Sequence, residues 1–346
     1  MRESEASIRG RVMRDLIAHV TNDHLIGKKI KNGELRKKIG DSEPPWKCPD
    51  CFSLDVIEMD NFSMEYLQAK ENPNTEKVIL QLHGGGYVGA MRNAYRMFAG
   101  LYCEVSHGMS VLTPDYRVAP EHPYPAALED AYAAYCYLLE QGWFSEQIII
   151  AGDSAGGGLA MALCHYLKDH GKQLPCGIVA MSPWTDLAAS GESYETNFER
   201  DPLFGKTRDS LIYNKDYIGD NDPYNAYISP LYGDFRGFPP MLIQVGSYEM
   251  LLSDSVDVAA KAREQGVKVR ISIYEGMFHV FQMGLDLIPE SREAWEEVGE
   301  YLRIVYHIHR DPEGKVVKKV KTRRKDTEER AKMNLLAFLK RELKSK

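Results

Sequence analysis

The sequence predicts an α/β protein with a mostly parallel central sheet of about eight strands, flanked by helices. Three observations carry this. Short apolar runs alternate with helical patterns along most of the chain. Two of those runs end in glycine-rich turns of the kind that join a strand to a helix. The 346 residues are 44% hydrophobic and 27% charged, enough apolar matter for a sizeable core under an ordinary soluble surface.

Residues 1–45 read as polar and helical, with Ile8, Val12, Leu16 and Val20 predicted to share one packing face. Pro44-Pro45 ends this region. Strand-like runs follow at 54–59, 64–68, 78–82, 110–113, 147–151, 177–181, 241–245 and 267–274. Helical patterns lie at 126–139, 159–168 and 254–265, and 290–306 reads as a last packing helix. The stretch between Met181 and Met241 breaks the rhythm. It is rich in Tyr, Asn, Asp and Pro, and only 207–218 has a helical pattern. So long a segment between sheet elements is often a binding element. With residues 1–45 it is expected to form a helical cap over the carboxyl edge of the sheet, with the insertion at about 185–225, where open α/β sheets take ligands.

The net charge of −7 argues against nucleic acid as a partner. Residues 310–346 hold 14 Lys and Arg against 6 Asp and Glu, which leaves −15 for the rest. Residues 311–346 therefore read as a basic, partly helical extension. Its stripe of Leu335, Leu336, Phe338, Leu339 and Leu343 is expected to be a solvated or subunit-contacting helix, and membrane contact through it is the lesser reading. The N-terminus has no apolar run behind it and does not read as a signal peptide. No apolar run is long enough to span a membrane. Of six cysteines, Cys103, Cys136 and Cys164 read as buried thiols. Cys48-Pro-Asp-Cys51 is a lone pair without a second ligand pair, so no metal is expected there. A reducing cytoplasm fits best.

The strongest chemical signal is Ile148-Ile-Ile-Ala-Gly152-Asp-Ser154-Ala-Gly156. It reads as strand, sharp turn and helix. Gly152 and Gly156 leave room for a serine in a strained turn that lifts its hydroxyl above the sheet. The next N–H, that of Ala155, then sits at a helix N-terminus facing developing negative charge. Val78–Leu82 leads into His83-Gly84-Gly85-Gly86, a loop able to offer backbone N–H groups to an oxyanion, with His83 bracing it. The same residues spell Gly84-x-Gly86-x-x-Gly89, a dinucleotide fingerprint with Asp115 further on. That reading leaves the serine turn and the downstream histidine unexplained.

A serine hydroxyl needs a base, and the base needs an orienting carboxylate. His279 follows the last strand at the same sheet edge as Ser154. His307 and His309 read as surface residues, and His19, His24, His165 and His170 as helix or helix-end residues. For the acid, strand 241–245 runs into a segment with both Glu249 and Asp254. Glu249 is the first choice; Asp254, the runner-up, has an N-cap or first-turn charge as its alternative role.

Taken together, His83-Gly-Gly-Gly86, Asp115-Tyr-Arg-Val-Ala-Pro-Glu121-His-Pro-Tyr-Pro-Ala-Ala127 and Gly152-Asp-Ser-Ala-Gly156 resemble the motifs of the hormone-sensitive-lipase-like carboxylesterases, over about residues 77–281. The resemblance implies an α/β-hydrolase fold over 46–310. It implies Ser154 as nucleophile, His279 as base, and Gly85, Gly86 and Ala155 as the oxyanion donors. Many relatives carry Asp-Pro-Leu where this chain has Glu249-Met-Leu, so the acid role passes to a longer arm. The resemblance implies hydrolysis of short-chain acyl esters without a cofactor; oligomer formation is left open. The alternatives are a membrane-associated lipase for longer chains and a non-catalytic ligand receptor. Trp184, Phe198, Phe204 and Tyr213 are candidates to shape the pocket.

Overall fold

The computed structural model describes residues 5–21, 43–205, 208–213 and 215–306. After helix α1 (Ile8–Thr21) come strands β1 (Phe52–Glu58), β2 (Ser63–Ala69) and β3 (Asn74–Leu82), helix α2 (Asn93–Val105), β4 (Met109–Asp115), α3 (Ala126–Glu140), β5 (Ile148–Asp153), α4 (Ala155–Asp169) and β6 (Gly177–Met181). Short helices α5 (Ser193–Thr196) and α6 (Arg208–Leu211) precede β7 (Met241–Gly246), α7 (Leu252–Glu264), β8 (Val269–Tyr274) and α8 (Pro289–Tyr306).

The strands form one sheet in the order β1-β2-β4-β3-β5-β6-β7-β8. β2 is antiparallel to both β1 and β4, and every later pairing is parallel. Strand alternation sorts the core into two layers. Val78, Leu80 and Leu82 pack with Ile148, Ile150 and Ile178 beneath α3, α4 and α7. Ile79, Ile149, Val179 and Leu242 point the other way, under α2 and α8. Burial on both faces explains why β5 is an unbroken apolar run rather than an alternating one. α2 is absent from the helical patterns read in the sequence, and the 207–218 pattern yields only one turn of helix.

α1 packs only in part on the expected face, where Leu16 and Val20 are half-buried. Ile8 is 72% and Val12 62% exposed. The buried side is Ala6 and Gly10, with Met13 and Ile17 against Tyr274, Met277 and Phe281. Gly10 lets the helix approach Met277 closely, since a side chain there would meet the Met277 thioether methyl. Ser7 starts the helix by accepting the Gly10 N–H at 3.0 Å, while its own N–H donates to Glu290 at 2.6 Å. Thr21 at the far end donates to the Pro202 carbonyl, so α1 touches the 182–240 insertion. Residues 22–42 and the basic extension lie outside the described residues, as do His307 and His309. Cys103 and Cys164 are buried, whereas Cys136 is only half-buried. Among the described residues no helix is long and apolar enough to cross a membrane.

α8 is fastened to α2 through Trp295. Its ring meets Phe98 and Tyr102 edge-on at centroid distances of 5.1 and 5.0 Å. Its indole N–H donates to the Gln282 carbonyl at 3.2 Å. Trp295→Ala is expected to lower the unfolding free energy by about 3–5 kcal/mol in urea titration. Ile304→Ala on the same helix, at a position 60% exposed, should change it by less than about 0.5 kcal/mol.

Candidate active site

Five parallel strands deliver the site. β3 ends at Leu82 before His83, β5 at Asp153 before Ser154, β6 at Met181 before Ser182, β7 at Gly246 shortly before Glu249, and β8 at Tyr274 before the His279 turn. The register keeps these ends level: Leu82 lies opposite Gly152, Asp153 opposite Met181, and Gly246 opposite Tyr274. The carboxyl edge is therefore where all these side chains meet.

Ser154 sits at φ 51°, ψ −123°, a region that side chains rarely adopt. The backbone on both sides holds it there. Its N–H donates to the Met181 carbonyl at 2.9 Å, and its carbonyl accepts Gly158 at 3.1 Å and Trp184 at 2.9 Å. The flanking glycines are needed for space. A side chain on Gly152 would collide with the Gly156 carbonyl, and one on Gly156 with the carbonyls of Leu82 and His83. The elbow and the glycine loop after β3 are thus in backbone contact.

That loop is fixed from beneath. Gly84 donates its N–H to Asp153 at 3.1 Å. His83 is fully buried, stacks on Tyr116 at 4.0 Å and bonds through Nδ1 to the Gly84 carbonyl at 2.7 Å. Burial pushes the His83 imidazole down, towards the neutral ring that this packing requires. Gly85 and Gly86 have φ of 119° and 62°. Their N–H groups have no hydrogen-bond partner among the described residues. The Ala155 N–H, first in α4, has no acceptor within its helix. No helix starts at Gly89; α2 begins at Asn93, and Asp115 accepts the Met91 N–H at 2.9 Å. The glycine run is therefore a turn beside the serine and lacks the helix N-terminus that a dinucleotide fingerprint requires.

His279 lies between the serine and a carboxylate. Its Nε2 is 2.9 Å from Ser154 Oγ, and its Nδ1 is 2.9 Å from Glu249 Oε2. This pattern leaves Nδ1–H as donor to Glu249 and the Nε2 lone pair facing the hydroxyl. Glu249 is fully buried, and its Oε1 accepts the Ser182 hydroxyl at 2.8 Å and the Gly246 N–H at 2.5 Å. Asp254 is engaged elsewhere. It accepts the N–H groups of Thr185 and Asp186 at 2.7 and 2.8 Å and the Tyr194 hydroxyl at 2.9 Å. It is not the N-cap of α7, which is Leu251; it is the acidic residue of that helix's first turn and ties the helix to the insertion. Of the aromatic candidates, Phe204 tilts against His279 at 4.7 Å and Trp184 stands beside Gly86. Phe198 carries Arg208 over its face at 4.0 Å, and Tyr213 is exposed.

Three residues that the sequence did not single out support the site. Ser182 bonds Glu249. Asn197 donates to the carbonyls of Ser247 and Glu249 at 3.0 and 2.8 Å. Asp201 accepts the Met250 N–H at 2.7 Å and the Phe204 N–H at 2.8 Å, binding the insertion to the acid's loop. For Ser182 a signal existed: a hydroxyl residue directly follows an apolar parallel strand, as Ser154 does.

Asp153, buried under the elbow, is pushed up to about 7 by burial, against the opposing pull of His279 and the Gly84 N–H. Its folded value lies above the ordinary 3.8. The folded state therefore binds this proton more tightly, and this group's contribution to stability falls as pH rises from about 4 to about 7. Asp153→Asn keeps an acceptor for Gly84 and removes that dependence. Its Tm relative to the parent should rise across that window and level off above it; a difference independent of pH would contradict the raised carboxyl.

Comparison with known proteins agrees with this architecture. Residues 79–283, more than half of the chain, match a family described as alpha/beta hydrolase fold. An acetyl-hydrolase of Streptomyces hygroscopicus is 39% identical over 250 residues, which are 72% of this chain and 82% of that protein. EstE5, solved in a crystal soaked with p-nitrophenyl butyrate, superposes with a TM-score of 0.79 at 33% identity, over 87% of this chain and all of that one. An esterase from the bacterial hormone-sensitive lipase family does so with a TM-score of 0.76 at 34% identity, over 87% and 99% of the two chains. The chain belongs to the alpha/beta hydrolase fold family.

Proposed function

We propose that this carboxylic ester hydrolase acts on small esters with short acyl chains, with Ser154 as nucleophile, His279 as base and Glu249 as the orienting acid. The observation that carries the reading is the unbroken line from Ser154 Oγ through His279 to Glu249, at 2.9 Å for each step. The N–H groups of Gly85, Gly86 and Ala155, without a hydrogen-bond partner among the described residues, lie on the adjoining backbone.

His279 Nε2 takes the Ser154 proton as Oγ bonds to the ester carbonyl carbon. The carbonyl oxygen becomes an oxyanion and receives the three N–H groups, which are already oriented. Glu249 offsets the positive charge on the imidazolium. The tetrahedral intermediate collapses, the carbon–alkoxy bond breaks, and the alcohol leaves with the proton from Nε2. Water then attacks the acyl-enzyme, giving its proton to His279, and the carboxylic acid is released as Oγ regains a proton. Phe204, against the His279 ring, and Trp184, beside Gly86, are bulky neighbours of the site that support a short acyl group. The acetyl-hydrolase and the p-nitrophenyl butyrate used with EstE5 point the same way.

A series of nitrophenyl esters of rising acyl length should be hydrolysed best at the short end. Ser154→Ala should lower kcat on the order of 10⁶-fold. Undiminished turnover by this variant would overturn the mechanism, and a maximum at long chains would overturn the substrate class.

The acid is tested separately. Glu249→Ala is expected to lower kcat on the order of 10⁴-fold. Asp254→Asn, which keeps an oxygen for the Thr185 and Asp186 N–H groups and turns an amide donor towards the Tyr194 hydroxyl oxygen, should stay within a few-fold of the parent per folded molecule. The reverse order would transfer the role to Asp254.

A further inference from the structure

Ser182 is fully buried at the carboxyl end of β6 and joins the acid to the chain that carries the base. Its hydroxyl donates to Glu249 Oε1 at 2.8 Å and accepts the Val280 N–H, from the residue after His279, at 3.1 Å. Its own N–H donates to the Gln244 carbonyl at 2.6 Å. Its φ is 47°, and that of Val280 is 48°, so two strained backbones meet at this hydroxyl.

We propose that Ser182 is a positioning residue for ester hydrolysis, holding the Glu249 carboxylate and the His279 backbone as one body. This rests on the reading of Ser154, His279 and Glu249 as the triad. The need for it comes from the longer arm. A glutamate has one more rotatable bond than an aspartate, so holding its carboxylate in one orientation costs more side-chain entropy. Oε1 is saturated by Ser182 and the Gly246 N–H, so Oε2 is left to face His279 and the carboxylate cannot turn away. Because the same hydroxyl accepts Val280, a shift of the acid loop carries the base with it. A hydrogen bond to a carboxylate also draws off part of its charge. The Ser182 bond therefore tempers how strongly Glu249 favours the imidazolium. Among the described residues the carboxyls of Asp153 and Asp201 also act on His279, and Ser182 bonds to neither.

The test is kcat, KM and the pH dependence of kcat/KM on a short-chain nitrophenyl ester, for the parent, Ser182→Ala, Glu249→Asp and the double variant, with Ser154→Ala run alongside. Ser182→Ala should lower kcat about tenfold with KM within about twofold, the worth of one charge-assisted hydrogen bond. The acid limb of its profile should move to higher pH, because an undiluted carboxylate charge keeps the imidazolium to higher pH. Glu249→Asp shortens the arm so that it cannot keep both His279 and Ser182. Adding Ser182→Ala to it should then cost less than about twofold, a non-additivity that marks direct coupling. An unmoved acid limb, or equal losses in both backgrounds, would overturn the proposal and leave Ser182 a packing residue. Where Ser182→Ala does not fold, Ser182→Cys, close in size and a poorer donor, gives the same two readouts. Retained activity in Ser154→Ala would instead overturn the triad reading itself.

Discussion

The architecture of this esterase turns on one close approach. The first turn of α4 lies directly against the end of β3, with Gly156 touching the carbonyls of Leu82 and His83. No side chain fits between them. That contact lets Ser154 occupy a left-handed turn while the Gly85–Gly86 loop lies alongside. The strain in such a turn, about 1–3 kcal/mol, persists only if the surroundings overdetermine it. Here they do: the Met181 carbonyl, the Gly158 and Trp184 N–H groups and the buried Asp153 under Gly84 all hold the same few residues.

The level strand ends complete the site. Ser154, Ser182, Glu249 and His279 come from four strands, and each is separated from its neighbour in the site by a long stretch of chain. Between those strands run α4, the insertion and α7, which supply the separation, and α4 and α7 also bury one face of the sheet. The chemistry and the core thus share one cause. A parallel sheet needs crossovers, and crossovers leave every carboxyl end at the same edge.

What could be read in the sequence follows from whether the cause is local. The serine turn and the glycine loop are local, since the spacing of Gly152, Ser154 and Gly156 states the steric demand directly. His279 was within reach because the turn after a last parallel strand opens at the same sheet edge as the serine elbow. The sequence favours Glu249 over Asp254 only through its nearness to the strand end. Both follow β7 closely, and only the three-dimensional course of the loop aims one at His279 and the other at Thr185 and Asp186. α1 misled for a related reason. Its larger residues Ile8 and Val12 make an apolar stripe, but the closest contacts are those of Gly10 with Met277 and of Ala6, just before the helix, with Gly276. Periodicity counts bulk and overlooks closeness. The insertion was recognisable only by its length, because its cohesion comes from distant partners such as Asp201 with Met250 and Asp254 with Tyr194.

Those two aspartates show how the insertion bears on the chemistry. Asp201 and Asp254 are both buried, and burial pushes both carboxyls up. Each is compensated by hydrogen bonds that cross from the insertion to the segment carrying Glu249. Between them stands Asn197, whose amide holds the carbonyls of Ser247 and Glu249. The backbone of the acid loop is therefore shaped by the insertion as much as by the sheet. A change in that insertion reaches the acid through these three side chains, and through Phe204 it reaches the face of His279 directly. The segment that touches the face of His279 and the segment that shapes the Glu249 loop are thus the same piece of chain. Redesigning the pocket through this insertion will alter kcat together with substrate preference, unless Asn197, Asp201 and the partners of Asp254 are kept.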